Sequence, residues 1–180
     1  MLRKKLIALL SITSTLLISS CGDSDKVQIG DEVIDISTKD YKDYEKFFLS
    51  SLDDFYSMDG KYSIQLYYET CPSCKKTKPY LFRHLEFLNA DMKKSNVYIF
   101  DMKSKSDESG QGIINRSKFK SAPSSPSRDK LIDEMINNGV NKTSETYFFG
   151  VPSLYIIENN KLVDFKYGSD EIIDYYRYLN

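Results

Sequence analysis

Apolar positions along the 180-residue chain recur with two different periods. Tyr41, Tyr44, Phe48, Leu52 and Phe55 follow one another at gaps of three and four, which predicts an amphipathic helix stopping near Asp59-Gly60, with Ser37 and Asp40 placed as a capping box ahead of it. Ile64, Leu66 and Tyr68 then alternate with Gln65 and Tyr67, a strand that ends at Glu69-Thr70. Helical spacing returns at Leu81, Leu85, Leu88 and Met92, and residues 97–100 form the short apolar run of a buried strand. Leu131, Ile132, Met135 and Ile136 predict a short helix. Residues 154–157 and 162–165 flank Glu158-Asn159-Asn160-Lys161 as a hairpin, and a last amphipathic helix begins at Ser169 with Ile172, Ile173, Tyr176 and Leu179. The succession of helices and strands predicts one α/β domain over residues 38–180, with no internal repeat.

Two stretches lack this periodicity. Residues 103–127 hold eight Ser, two Gly and two Pro, so residues 103–146 read as an insertion, a functional loop or a tolerated surface one. Residues 21–37 are polar and read mostly as a tether, with Val27, Ile29, Val33, Ile34 and Ile36 able to supply a short edge strand.

The N-terminus changes the picture of where the domain works. Arg3, Lys4 and Lys5 precede an uncharged stretch from residue 6 to residue 20, shorter than the ~20 apolar residues of a membrane span and suited to an export signal. Ile18-Ser19-Ser20-Cys21 resembles the lipobox of bacterial lipoprotein precursors, which implies cleavage after residue 20 and a lipid on Cys21. A transmembrane anchor, or an ordinary cleaved signal with a chance cysteine, is the alternative. Several acyl chains on one residue hold a protein at a membrane where a single chain is marginal. The resemblance implies a cell-membrane location, lipid-anchored on the extracytoplasmic face. Without residues 1–20 the chain carries 22 basic and 26 acidic residues, which argues against a nucleic-acid partner.

Candidate chemistry centres on Cys71-Pro72-Ser73-Cys74, where the predicted strand feeds the predicted helix. Two intervening residues on a first helical turn let the sulfurs meet, and the free N–H groups there stabilise a thiolate on Cys71. Pro72 suits the first turn, having no N–H to leave unpaired, and Cys74, one turn in, is the resolving thiol. A structural zinc knuckle would need two further ligands, and His84 is the one histidine of the chain, so an Asp or Glu would have to complete the set. A purely structural disulfide is an odd use of so short a loop. A redox dithiol is the reading that strand, helix and export signal share. His84, three helical turns on and ~20 Å from Cys71, is an unpromising partner for a cysteine hydrolase and reads as a helix-surface or half-buried residue.

These residues resemble the thioredoxin superfamily over most of the chain, from about Lys39 to Asn180. The match lies in Cys71-Pro72-Ser73-Cys74-Lys75 with Pro79 five residues after the second cysteine, in Gly150-Val151-Pro152-Ser153-Leu154 followed by a hairpin and a C-terminal helix, and in the element order. The resemblance implies a thioredoxin-like α/β fold, a central mixed sheet flanked by helices, with the insertion ahead of a cis-proline loop. It implies Cys71 as nucleophile, Cys74 as resolving cysteine and Pro152 as the cis-proline, with Val151, Pro72 and Ser73 facing a substrate peptide that adds as a strand. Two positions depart from the family: Thr70 stands where thioredoxins have Trp, and Gln65 where they bury an acid that assists the resolving thiol. Glu69 or water would have to substitute for that acid. Tyr147, Phe148 and Phe149 either rim a peptide groove or form a buried strand. The expected function is thiol-disulfide exchange on exported cysteine-containing proteins with an unidentified redox partner and no cofactor. The alternative is a thioredoxin-fold lipoprotein that binds a partner protein or a metal ion through a non-catalytic CxxC.

Overall fold

In the computed structural model, which describes residues 25–92, 94, 96–102 and 115–179, the elements in chain order are β1 (Lys26–Ile29), β2 (Glu32–Asp35), β3 (Lys61–Tyr67), α1 (Pro72–Asn89), β4 (Asn96–Asp101), β5 (Lys120–Ser121), α2 (Arg128–Asn137), β6 (Tyr147–Phe148), β7 (Ser153–Glu158), β8 (Lys161–Tyr167) and α3 (Gly168–Leu179). The signal segment, Cys21 and residues 103–114 of the insertion lie outside the described residues. Four strands form one sheet in the order β4-β3-β7-β8. β3 and β4 run parallel, as strands joined through a crossover helix do, while β7 is antiparallel to both β3 and β8. This is the thioredoxin-like architecture that the motif pattern implied.

β3 is one of the two interior strands, and its alternation assigns two faces. Tyr62, Ile64 and Leu66 join one core with Phe55, Phe119, Leu131, Met135, Tyr155 and Phe165, which places α2 and the insertion over that face. Tyr67 joins the other core with Leu81, Phe82, Leu85, Leu154, Ile156, Ile172 and Tyr176, beneath α1 and α3. Burying each such Leu, Ile or Phe contributes ~1.5–3 kcal/mol. Gln65 belongs to the second face and is fully buried.

Four expectations are corrected. Residues 26–35 are an antiparallel hairpin, and Val27 and Ile36 are buried in the core beneath α1 and α3, so little of the segment 21–37 is tether. The stripe from Tyr41 to Phe55 turns its apolar residues to the cores, but as short 3-10 turns, Tyr41–Phe47 and Leu52–Asp54, in place of one helix. Asp40, with Asp43 in the reciprocal role, forms the capping box expected at Ser37. Phe48 between the two turns is extended and bridges Ile99 in parallel, while Leu49 N–H donates to Ile99 O at 2.9 Å: the free edge of β4 takes a segment whose local pattern is helical. His84 is fully buried, its ring 5.8 Å from that of Tyr176 on α3, and is not a surface residue.

The remaining alternatives resolve on the same basis. Tyr147 and Phe148 are a short strand paired with Lys120 and Ser121, and Tyr147 is buried, so this segment belongs to the core. Asn159 and Asn160, both at positive φ (52° and 63°), make the two-residue turn between β7 and β8. No helix among the described residues is long and apolar enough to cross a membrane.

Candidate functional site

Cys71 ends the turn that follows β3, its N–H donating to Tyr68 O at 3.1 Å, and serves as the cap of α1. Its Sγ takes the place of the usual Ser or Asp oxygen and accepts the Cys74 backbone N–H at 3.2 Å. Pro72 opens the helix and is exposed, Ser73 is half-buried, and the Cys71 and Cys74 side chains are buried with free thiols. The Cys71 thiol is directed at Val151 O, 3.7 Å away. The Val151–Pro152 bond is cis, Pro152 is buried, and Pro152 O accepts the Gly168 N–H at 3.0 Å, which ties the loop to the start of α3. Thus Cys71, Cys74, Val151 and Pro152, predicted from two separate motifs, come together, with Pro72 and Ser73 on the same rim.

A groove of about 410 Å³ is lined by Ser73, Val151 and Pro152, neighbours of the two cysteines in sequence or in space, together with Tyr167 and the first residues of α3. Tyr167 was not singled out by sequence. Gly150 at φ +119° leaves room for its hydroxyl, and its ring carries Arg128 of α2 at 5.3 Å. Arg128 also pairs with Glu171 at 3.3 Å, so the helix of the insertion is fastened at the edge of the groove.

Electrostatically the two cysteines differ. Burial pushes the Cys74 thiol well up, and its hydrogen bond with Cys71 adds to the effect. Tyr41 stacks on Tyr67 at 4.0 Å between centroids, and both phenols are pushed up, chiefly by burial. Lys78, one turn beyond Cys74, pairs with Asp40 at 3.2 Å, and Asp40 is held below the ordinary carboxylate range by Tyr41 N–H and Lys78. Gln65 lies in a buried hydrogen-bonded chain with Thr77 and Tyr176, whereas Glu69 and Thr70 are exposed in the turn before Cys71. Gln65 was marked in the sequence only as a departure from the family pattern; nothing local marked Thr77 or Tyr176 as its partners. Among the described residues no three His, Cys, Asp or Glu side chains gather as a metal site.

No protein-family model and no curated protein matches the sequence. Among solved structures the chain is similar to oxidised mitochondrial thioredoxin 3 of Saccharomyces cerevisiae, at 14% identity over 76% of this chain and 95% of that one, with a TM-score of 0.40. It is also similar to oxidised thioredoxin of Plasmodium falciparum, at 12% identity over 72% and 96%, with a TM-score of 0.35. The assignment of the fold rests on strand order and on the meeting of the two motifs.

Proposed function

We propose that this chain, thioredoxin-like in fold, is a thiol-disulfide oxidoreductase of exported proteins, held at the extracytoplasmic face of the cell membrane by lipid on Cys21. The supporting observation is the Cys71 sulfur: it caps α1, accepts the Cys74 N–H at 3.2 Å and faces Val151 O. A helix N-terminus and a donated N–H are what stabilise a sulfur carrying negative charge. In the reducing direction Cys71 thiolate attacks a client disulfide, forming a mixed disulfide and releasing one client thiolate; Cys74 then attacks Cys71 and releases the other. In the oxidising direction a client thiolate attacks Cys71 of the Cys71–Cys74 disulfide, and a second client thiol displaces it. An extended client segment lies along Val151, with Pro72 and Ser73 flanking the sulfur.

The test uses the full chain in detergent. It accelerates insulin reduction by dithiothreitol or oxidises a reduced peptide, Cys71→Ser abolishes both, and Cys74→Ser traps a mixed disulfide with the client. Equal inertness of wild type and Cys71→Ser overturns the reading. The reduction potential fixes the direction, about −120 mV for an oxidase and about −270 mV for a reductase. The N-terminal peptide from membranes carries the mass of a lipidated Cys21; an unmodified Cys21 thiol refutes the anchor.

A further inference from the structure

The groove lined by Ser73, Val151 and Pro152 has an acidic wall. Tyr167, Gly168, Ser169, Asp170 and Glu171 complete the lining, and none of these eight residues is basic. Ser73 stands between the two cysteines in sequence and Val151 O faces the Cys71 thiol at 3.7 Å, so a segment lying in the groove touches neighbours of the reacting sulfur. Acids in a first helical turn suit the helix whatever else they do, and Glu171 is committed to the fold. Its Oε2 accepts the Tyr167 N–H at 3.0 Å and its Oε1 the Arg128 guanidinium at 3.3 Å. Asp170 is different: it is exposed, its Oδ1 accepts the neighbouring Ser169 hydroxyl at 3.0 Å, and among the described residues it enters no ion pair.

Arg128 shows what this wall accepts. Its guanidinium rests 5.3 Å from the centre of the Tyr167 ring and pairs with Glu171, so a planar cation supplied by another element, α2, already sits where aromatic and acid meet. The other charged groups leave the sign of the wall unchanged. Lys75 and Lys76 are exposed on α1 and take no part in the lining, Lys166 pairs with Asp164 at 2.8 Å, and Glu69, exposed two residues before Cys71, is a further acid.

We propose that the groove selects client segments carrying a lysine or arginine beside the reacting cysteine, with Asp170 as the acid that pairs with it and Arg128 as an internal competitor holding the adjoining Glu171 and Tyr167. The inference rests on the redox reading of the site and names the class of client for it. In an extended client, alternate side chains, ~7 Å apart, point to the same side as the cysteine, so a cation close in sequence enters the groove with the sulfur. A partly exposed ion pair of this kind favours its ligand by up to about fivefold at low salt, and the advantage fades as salt shortens the screening length. Arg128 limits the effect, because it neutralises one of the two acids.

The experiment uses the reduced full chain in non-ionic detergent and three peptides alike except for the residues on either side of a single cysteine, which are Lys, Ser or Glu. Each cysteine is joined in a disulfide to an aromatic thiol: Cys71 thiolate attacks the peptide sulfur, the Cys71–peptide disulfide forms, and the coloured aromatic thiolate leaves with the electron pair. Rates are taken as the excess over Cys71→Ser and divided by the rate of mercaptoethanol with the same peptide, which removes the effect of flanking charge on the disulfide itself. The Lys peptide is expected to react about threefold faster than the Glu peptide at low salt and less than about 1.5-fold faster in about 0.5 M salt. Asp170→Asn is expected to bring the low-salt ratio close to one, and Arg128→Ala to raise it about twofold. Equal rates for the two charged peptides in the wild type, a preference that survives intact in Asp170→Asn, or a fall of the preference in Arg128→Ala overturns the inference; should Asp170→Asn fail to fold, the Arg128→Ala ratio decides. A Ser peptide that reacts no faster with the wild type than with Cys71→Ser overturns the redox reading and this inference with it, whereas a reactive Ser peptide alongside equal Lys and Glu rates overturns this inference alone.

Discussion

The Cys71 thiol and the Val151 carbonyl oxygen meet at 3.7 Å although 80 residues separate them in sequence. That carbonyl is held in turn by the next residue, since Pro152 O accepts the Gly168 N–H. A client strand pairing with Val151, as proposed above, would compete for the same oxygen that the resting thiol faces, and docking and uncovering of the sulfur would then be one event.

The loop before Val151 depends on Gly150. At φ +119° an L side chain is strained, and a Cβ there would stand 3.1 Å from Tyr167 Oη. Gly150→Ala is expected to cost about 1–3 kcal/mol in chemical denaturation. Adding Tyr167→Phe relieves the contact but leaves the backbone term, so the double variant recovers only part of the loss. An unchanged denaturation midpoint for Gly150→Ala contradicts this account.

Reduced protein is expected to weaken in alkali. Burial raises the Cys74 thiol from its ordinary value of 9.0, so the unfolded chain gives up this proton first and ionisation favours unfolding. The stabilisation is complete below that value and falls as pH rises toward the folded value, by no more than about 1.4 kcal/mol per pH unit. Buried tyrosines act with the same sign from pH 10.0. Between these values urea midpoints should fall further for the reduced wild type than for Cys74→Ser. Parallel curves would show that the thiol does not titrate differently in the two states.

How much of this was legible in the sequence depends on whether a feature is local. The Asn159-Asn160 turn, the strand-to-helix junction at Cys71 and the C-terminal helix each follow from neighbouring residues, and the structure places them within one or two positions of the expectation. Tyr41 to Phe55 is the opposite case. Its spacing is helical, but Phe48 and Leu49 are drawn out along β4, and no local pattern tells that β4 will have a free edge. Pro152 gained its place beside Cys71 only through the family resemblance. Gln65 stood out only as a departure from the family pattern, and its partners, 12 and 111 residues away, are a property of the packed sheet.

Tyr44 and Glu86 make a second buried polar contact at 2.6 Å, between the Tyr41–Phe47 turns and α1. Tyr44→Phe leaves that carboxyl oxygen without its donor, and the loss is expected to be about 1–3 kcal/mol. Glu86→Gln keeps an acceptor for the phenol and should cost less. The reverse order of the two denaturation midpoints refutes this assignment.

Arg128 holds the insertion helix to the rim through partly exposed contacts with Glu171 and the Tyr167 ring. Arg128→Ala is expected to cost less than about 1 kcal/mol, most of it lost in high salt. A penalty several times larger, insensitive to salt, would mean that the arginine is holding packing instead of charge.

The N-terminal hairpin would set how far a lipid on Cys21 let this domain travel. Asp25 O accepts the Ile36 N–H at 2.6 Å, and in the sequence residues 22–24 lie between it and Cys21. Fully stretched, four peptide steps span about 14 Å. A domain of this size has a radius of gyration of about 15 Å and is some 40 Å across. A lipid on Cys21 would therefore leave the protein a leash shorter than half its own width: the redox pair would patrol a thin layer of the envelope, and cysteines emerging beside the bilayer would be within its range while those of freely diffusing proteins would have to come to it.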